Sequence, residues 1–251
     1  MADLSEIVEH LEMALRVSEI EDYPGAWNGL QVDGRSPVDK VCVATDACLA
    51  TIEGTAAAGG QLLLVHHGLF WGEPLPLVGR SYRRVRALID ADIALYSVHL
   101  PLDVHPVLGN NALLARRLRL SIEGRFGVWK DQEIGVWAVV DRPLNDFVAD
   151  VEQVCEGSAV VLRGGPPHVR RLAVVTGGGS SMIQEAHAGG FDTLLTGEGG
   201  HHTYHEAMEL GVNVIYAGHY ATETLGVKAV GKSLADRFGI EWEFIDHPTG
   251  M

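Results

Sequence analysis

The sequence predicts an α/β fold made of two similar, interlinked α/β domains that arose by internal duplication. Three observations predict it: apolar strand-like runs alternate with helical segments, two blocks recur in the same order, and the recurring strands end in polar residues. Strands that alternate with helices are typical of parallel sheets. The chain of 251 residues is long enough for two small domains, and its 47% hydrophobic and 21% charged residues are typical of a folded globular protein.

The first recurring block contains a strand, a small-residue turn, a helix that ends at Gly-Gly, and a second apolar strand with a polar tip. It occurs at residues 41–68 and again at residues 172–200. The second block is an apolar strand that ends in Tyr, followed by His and then by an acidic residue four positions after the His. It occurs at residues 91–103 and at residues 211–223. Two blocks in the same order indicate an ancient duplication.

The segment between the repeats adds further elements. Residues 126–140 are rich in Trp and Val and lack a helical period, which predicts extra strands. A helix capped by Asn145 is predicted to follow. The residues on its buried side are predicted to be Leu144, Phe147, Val148, Val151 and Val154.

The domain boundaries follow from the positions of these blocks. We expect a first α/β domain over residues 1–125 and a second over residues 126–221. The last helix and strand, over residues 222–251, are expected to return to the first domain.

Charge and cysteine content argue against several classes of function. With 19 Lys and Arg against 33 Asp and Glu, the net charge of −14 opposes binding to nucleic acid or to an anionic membrane. No run is long enough for a membrane span and the first residues are acidic rather than basic, so we expect a cytoplasmic protein. The three cysteines form no CxxC pair, so any metal is expected on nitrogen and oxygen ligands.

Two adjacent histidines stand at the polar tip of the first block. His66 and His67 follow residues 61–65, which are typical of a buried strand. Side chains alternate along a strand, so regular geometry would send the two rings to opposite faces. At the frayed end of a strand, however, they can diverge toward two neighbouring ions. Open α/β sheets bind ligands at this end of their strands.

Two further segments each place a histidine four residues before an acid. His99 and Asp103 lie between prolines, which predict an extended loop leaving a strand. His219 and Glu223 lie at the start of a helix that is predicted to begin near Thr222. Both of these side chains can therefore reach one point beyond the N-terminus of that helix.

These three segments together supply four imidazoles and two carboxylates. A mixed nitrogen and oxygen set suits iron, zinc, manganese or nickel. Two ions about 3.5–4 Å apart can clamp the attacking and leaving atoms of a hydrolytic displacement. We therefore predict two divalent metal ions per chain, with His99 as a group that orients or handles a ligand. The predicted metal ligands are His66, His67, Asp103, His219 and Glu223.

Seven short motifs distributed over nearly the whole chain are specific in combination. They are AWNGLQV at 26–32, VHHGLFW at 65–71, YSVHLPLD at 96–103, LGNNALLA at 108–115, TGGG at 176–179, TGE at 196–198 and AGHYATE at 217–223. With this combination the chain resembles the Nif-three-like dinuclear metal centre proteins, often labelled GTP cyclohydrolase I type 2 homologues. Matched residue by residue, the family's metal ligands fall on the same five residues.

The resemblance also implies an architecture. It implies two similar α/β domains with the metals in the cleft between them. It further implies a homohexameric ring whose sites face an internal cavity.

Other polar residues admit two interpretations. Glu198 fits the family pattern and is assigned, with His99, to catalysis. Nearby, His201, His202 and His205 either act as proton shuttles or substrate contacts or form a solvated helix start. The run at residues 176–180 provides either an anion-binding nest or a tight strand–helix connection.

Two hypotheses for function follow, from different classes. The first is a metal-dependent hydrolase that acts on a small molecule, a nucleotide or related heterocycle, as the GTP cyclohydrolase label implies. The second is a non-catalytic metal-binding ring that acts in regulation or metal trafficking. A catalytic site keeps an open coordination position, and five ligands for two ions leave positions open, which favours the hydrolase.

Overall fold

The computed structural model describes residues 1–72 and 76–251 and confirms a mixed α/β fold. The strands of these residues form one five-stranded and one six-stranded sheet. Among the described helices, none combines the length and the apolar character that crossing a lipid bilayer requires.

The described residues pack into two compact units. The first contains Met1–Leu102 and Gly226–His247, and the second contains Asp103–Leu225 and Pro248–Met251. Residues 103–125 group with the second unit in this division, and the domain boundaries proposed from the sequence remain predictions.

Strands and helices alternate along most of the described chain. The strands are β1 (Gly29–Val32), β2 (Lys40–Asp46), β3 (Leu62–His67), β4 (Ala94–Ser97), β5 (Ile122–Trp129), β6 (Gln132–Pro143), β7 (Val160–Arg163), β8 (His168–Val174), β9 (Thr193–Thr196), β10 (Asn213–Tyr216) and β11 (Glu241–Phe244). The α-helices are α1 (Leu4–Ala14), α2 (Leu49–Ala57), α3 (Gly79–Asp90), α4 (Leu100–Asp103), α5 (Asn110–Arg117), α6 (Leu144–Cys155), α7 (Ile183–Ala188), α8 (Thr203–Leu210) and α9 (His219–Phe238). A short 3₁₀ helix, Gly179–Met182, precedes α7.

The first unit is built on a sheet with the strand order β1-β4-β3-β2-β11. β2, β3 and β4 are parallel neighbours, β11 pairs in parallel with β2, and β1 pairs antiparallel with β4. The apolar part of β3, from Leu62 to Val65, is fully buried, as expected for a parallel strand covered on both faces. Since β2, β3 and β4 run in the same direction, their final residues lie side by side at one edge of the sheet.

The second unit is built on a sheet with the strand order β5-β6-β8-β9-β10-β7. β8, β9 and β10 are parallel neighbours, whereas β6 and β7 flank them in the antiparallel direction. β5 and β6 form an antiparallel hairpin, which confirms the extra strands predicted for this segment. α6 contributes Leu144, Phe147, Val148 and Val151 to the core, as its apolar spacing predicts.

The two units share one pattern of strand pairing. Three parallel strands follow one another both in sequence and in the sheet, namely β2, β3 and β4 in the first unit and β8, β9 and β10 in the second. The strand that precedes each set of three, β1 or β7, pairs antiparallel with the third strand of the set. This shared pattern supports the predicted duplication.

Three local predictions are wrong at helix boundaries. Residues 100–103 form the short helix α4 instead of an extended loop, because a helix tolerates Pro101 in its first turn, where the missing N–H has no partner. α9 begins at His219, earlier than predicted, so Glu223 lies one turn into the helix. Asn145 lies inside α6, and Pro143 occupies the N-cap position.

Candidate metal-binding residues

Three histidines of the first unit form one cluster at the carboxyl end of its sheet. His66 and His67 are the last two residues of β3, and His99 follows the neighbouring strand β4. The ring centroids lie 4.8 Å apart for His66–His67, 4.9 Å for His66–His99 and 5.7 Å for His67–His99. Each ring offers one nitrogen, all within 4.8 Å of one another, so the three rings could hold a metal ion.

Each ring of this cluster is held at its Nδ1 atom by an oxygen acceptor. His66 donates to a backbone carbonyl at 2.9 Å. His67 donates to Asp46 Oδ1 at 2.8 Å, and His99 donates to Asp22 Oδ1 at 2.8 Å. Because these oxygens only accept, Nδ1 carries the hydrogen in each neutral ring and Nε2 keeps its lone pair. A histidine that ligates a metal is usually held in this way.

The two carboxylates behind the rings were not identified from the sequence. Asp46 ends β2 and is the register partner of His67 in the sheet. Asp22 lies beyond α1, and its side chain is only 5% exposed. Burial by itself raises the pKa of Asp22, but hydrogen bonding and charge from His99, with a hydrogen bond from Asn28, hold that pKa below its ordinary value. Asp22 therefore orients His99 as a carboxylate.

An aromatic ring packs against one side of this cluster. The indole of Trp71 meets the ring of His99 edge-on, with centroids 4.9 Å apart, and lies 6.0 Å from the ring of His67. Its Nε1 donates to the carbonyl of Gly68 at 3.1 Å, which fixes the indole. Trp71 thus provides an apolar wall beside the imidazoles.

Removing the carboxylate behind His67 is expected to weaken metal binding without unfolding the protein. In an Asp46→Ala variant the imidazole loses its Nδ1 acceptor, and we expect metal affinity to fall by about 10- to 100-fold. Isothermal titration with Zn²⁺ and Mn²⁺ measures the change. Asp90→Ala removes an exposed carboxylate of the same unit, paired with Arg86 at 3.0 Å, and should bind metal as the parent does. Equal affinities in the two variants would contradict the orienting role.

The second unit brings His219, Glu223 and Glu198 together. The Nε2 atom of His219 lies 3.0 Å from Glu223 Oε2, one helical turn further along α9. Its Nδ1 atom lies 3.0 Å from Oε1 of Glu198, which follows β9. The side chain of Glu223 is 3% exposed and that of Glu198 is 44% exposed. One imidazole therefore lies between a buried and a partly exposed carboxylate.

Gly177 leaves the space that Glu223 occupies. It follows β8 with φ at +66°, a conformation that other residues rarely adopt. A Cβ atom at this position would overlap Oε1 of Glu223 and would lie 3.2 Å from Nε2 of His219. Its amide donates to the hydroxyl of Thr222 at 3.1 Å. The glycine is thus needed for both its conformation and its lack of a side chain.

Three backbone amides at this turn, those of Thr176, Gly177 and Gly179, are already used inside the unit. Thr176 N–H donates to Asn111 Oδ1 at 2.8 Å, and Gly179 N–H donates to Thr196 Oγ1 at 2.9 Å. These bonds join the end of β8 to the surrounding elements. They favour the tight strand–helix connection over the anion-binding nest.

Asp103 is the last residue of α4 and is 6% exposed. The side-chain amide of Asn110 donates to Asp103 Oδ1 at 2.8 Å, and the hydroxyl of Thr176 lies 3.4 Å from the same oxygen. These two donors fix the orientation of the carboxylate. Asn110 belongs to the LGNNALLA motif, so the structure gives that motif a role at this carboxylate.

The two carboxylates beside His219 control its protonation. Burial by itself lowers the pKa of His219, but hydrogen bonding and charge from Glu223 and Glu198 raise that pKa to about 9. The imidazole is therefore a cation at neutral pH in the metal-free protein. Because a metal ligates the neutral ring and not the imidazolium, binding of a metal ion to His219 would release this proton.

The raised pKa of His219 predicts a pH-dependent stability of the metal-free protein. The pKa is higher in the folded state than the ordinary 6.5, so the stabilisation is fully present below pH 6.5 and is lost as the pH rises through about 9. We expect a loss on the order of 2 kcal/mol, allowing for partial exposure of the ring. Urea unfolding at several pH values measures it. A His219→Gln variant should lack this loss, and an identical pH profile in the variant would contradict the assignment.

The three other histidines of interest are exposed. His201 and His202 precede α8, and His205 lies in its first turn. Rings of His201 and His205 lie 6.0 Å apart. Their exposure agrees with the solvated helix start, and the role as proton shuttles or substrate contacts remains a prediction.

Comparisons with known proteins identify relatives over the full chain. A family model described as Duf34/NIF3 (NGG1p interacting factor 3) matches residues 2–250. A GTP cyclohydrolase 1 type 2 homolog of Deinococcus radiodurans is 44% identical, over 98% of this chain and 94% of the relative. A protein of the same name from Halobacterium salinarum is 43% identical, over 99% of this chain and 100% of the relative. The crystal structure of TTHA1606 from Thermus thermophilus matches with a TM-score of 0.91 at 39% identity, over 99% of this chain and 100% of that one.

Proposed function

The chain belongs to the Duf34/NIF3 family, which confirms the resemblance read from its motifs, and from this premise we propose that it is a metal-dependent hydrolase with a dinuclear centre. Two divalent ions of iron, zinc, manganese or nickel are proposed per chain, and the proposed substrate is a nucleotide or a related heterocycle. The proposed ligands are His66, His67, Asp103, His219 and Glu223.

One observation carries the proposal: the three histidines of the first unit are arranged as ligands. Their nitrogens lie within 4.8 Å of one another, and an oxygen acceptor holds Nδ1 of each ring so that Nε2 bears the lone pair. The carboxylate of Asp46 thus supports a metal-binding role for His67, and that of Asp22 supports a role beside the metal for His99.

The donor types fit borderline divalent ions. Imidazole nitrogen and carboxylate oxygen suit iron, zinc, manganese and nickel, whereas the described cysteines lie outside this set. When bound, such ions polarise a substrate and lower the pKa of a water molecule toward neutrality. The buried carboxylates of Asp103 and Glu223 balance positive charge that would otherwise be costly in a site of low dielectric constant.

His99 and Glu198 are proposed to hold or move protons during the reaction. Asp22 fixes the Nδ1–H of His99, so Nε2 is the atom that can accept a proton from water or substrate. Glu198 uses one oxygen to hold Nδ1 of His219, and its 44% exposure lets the carboxylate exchange protons with bound substrate or solvent. Trp71 limits the access of bulk water to His99.

The substrate class rests on the names of relatives. Both curated relatives are named GTP cyclohydrolase 1 type 2 homolog, and we extend that name to this chain as part of the proposal. The corresponding reaction is hydrolytic opening of the imidazole ring of a purine nucleotide. A homohexameric ring, implied by the family resemblance, is the proposed assembly.

Metal reconstitution followed by a nucleotide screen tests the proposal. The protein is loaded separately with each of the four metals, its metal content is measured by elemental analysis, and products from a panel of purine and pyrimidine nucleotides are separated by chromatography. We expect about two ions per chain and turnover of a purine nucleotide that a chelator abolishes. Full occupancy without turnover on any nucleotide would favour the alternative, a non-catalytic metal-binding assembly. Failure to bind metal would overturn both.

A further inference from the structure

A cavity of about 600 Å³ lies within the second unit, beside Glu198. It is bordered by β7, by the glycine-rich loop after β9 and by the start of α8. Its volume is within the range of sites for small organic molecules. None of the five proposed metal ligands lines it, whereas Glu198, which is proposed to move protons in the hydrolysis, stands in its wall.

The walls of the cavity are apolar and aromatic. Val160 and Leu162 of β7 line one side, and Tyr204 and Tyr216 contribute rings. Tyr204 is 49% exposed, so its ring is accessible to a ligand. Such walls favour a ligand with an apolar body, and aromatic rings also attract organic cations.

The wall at Tyr216 is held rigidly. Its hydroxyl donates to Thr203 Oγ1 at 2.6 Å, and that hydroxyl donates to the carbonyl of Gly200 at 2.6 Å. Gly199 packs so closely that a Cβ atom there would overlap the ring of Tyr216. Burial raises the pKa of Tyr216, so its hydroxyl stays a neutral donor. The loop and the ring therefore form a preorganised surface, which reduces the cost of ordering on binding.

The described residues that line the cavity include one carboxylate. Glu198 is the acidic side chain, His201 contributes an imidazole, and none is Lys or Arg. The whole chain has a net charge of −14, which adds attraction for cations at long range. Oε1 of Glu198 pairs at 3.0 Å with His219, which is a cation in the metal-free protein, and the carboxylate has further lone pairs that can accept from an ammonium group.

We propose that this cavity binds a small organic amine, with its ammonium group against Glu198 and its apolar body between β7 and the two tyrosine rings. The carboxylate provides a charge-assisted hydrogen bond, and the apolar walls exclude water from it. An anionic ligand is disfavoured by the same carboxylate. This site shares Glu198 with the proposed hydrolysis, and the metal-free protein is used to test it.

Three probes of matched size test the charge preference: phenethylamine, phenethyl alcohol and hydrocinnamate, which are cationic, neutral and anionic at neutral pH. Titrations followed by ligand-observed NMR with the full chain give their affinities. We expect the amine to bind at least about tenfold more tightly than the alcohol, and the carboxylate not to bind. Equal affinities of amine and alcohol, or no saturable binding of the amine, would overturn the proposal.

Two variants locate the binding. Glu198→Gln should reduce amine affinity to that of the alcohol. Val160→Trp should fill the cavity and abolish binding. Val139→Trp is the matched control, because both valines lie on strands of the same sheet and their exposed fractions are similar, 63% for Val160 and 59% for Val139. If Val160→Trp binds the amine as well as Val139→Trp does, the site is elsewhere and the proposal fails. Metal analysis of the same samples separates this outcome from failure of the proposed hydrolase.

Discussion

A Glu223→Gln variant is expected to lose most of its metal affinity while it keeps its fold. Glutamine has nearly the shape of glutamate, so the packing around this buried side chain is retained. The substitution removes the negative charge that faces Nε2 of His219 at 3.0 Å. If Glu223 is a direct ligand, as proposed, we expect metal affinity to fall by at least about 100-fold, because such a ligand contributes more than the outer partners of a ligand do. Elemental analysis after dialysis, with thermal unfolding of the same sample, measures both properties.

The control for this prediction is a carboxylate of the same unit that lies on the surface. Glu209→Gln changes an exposed residue of α8 by the same single charge and should retain the parent's metal content. Because both variants alter the net charge equally, a difference between them reports on the position of the charge. Full metal retention in Glu223→Gln would remove this residue from the proposed ligands.

A Gly177→Ala variant is expected to lower the free energy of unfolding by about 3 kcal/mol. One part of the loss is backbone strain, because φ is +66° at this residue. The other part is the overlap between the new methyl group and the carboxylate of Glu223, which must move. Since Glu223 is a proposed ligand, metal affinity should fall as well. Urea unfolding of the metal-free variant and a metal titration give the two effects.

Gly190→Ala separates the two parts of this loss. Gly190 has a φ of +70°, and a methyl group there would have no atom within 4 Å. This control therefore includes the backbone strain without the overlap, and we expect a loss of about 1 kcal/mol and normal metal binding. Equal losses in the two variants would show that the space at Gly177 does not position Glu223.

Local patterns predicted the order of elements because they report on burial and backbone conformation. The apolar run of β3 and the Trp- and Val-rich residues of the β5–β6 hairpin are recognisable without their neighbours. The start of α9 was misplaced because Thr222 donates its hydroxyl to the carbonyl of Gly218 at 2.9 Å instead of capping the helix. The Thr222 hydroxyl can either bond to a carbonyl of the preceding turn or cap a backbone N–H at the start of a helix. Which of the two bonds forms depends on how the preceding strand ends.

From the sequence alone come the α/β class, the family, and the histidines and acids that follow apolar strands. Only the tertiary structure shows which groups hold those side chains. Asp22 is 77 residues from His99 in the chain, and no motif marks it. Asp46 meets His67 through the pairing of β2 with β3. A repeated pattern of apolar residues encodes which face of a strand is buried, whereas the acceptor behind a ring is set by the packing of segments that are distant in sequence.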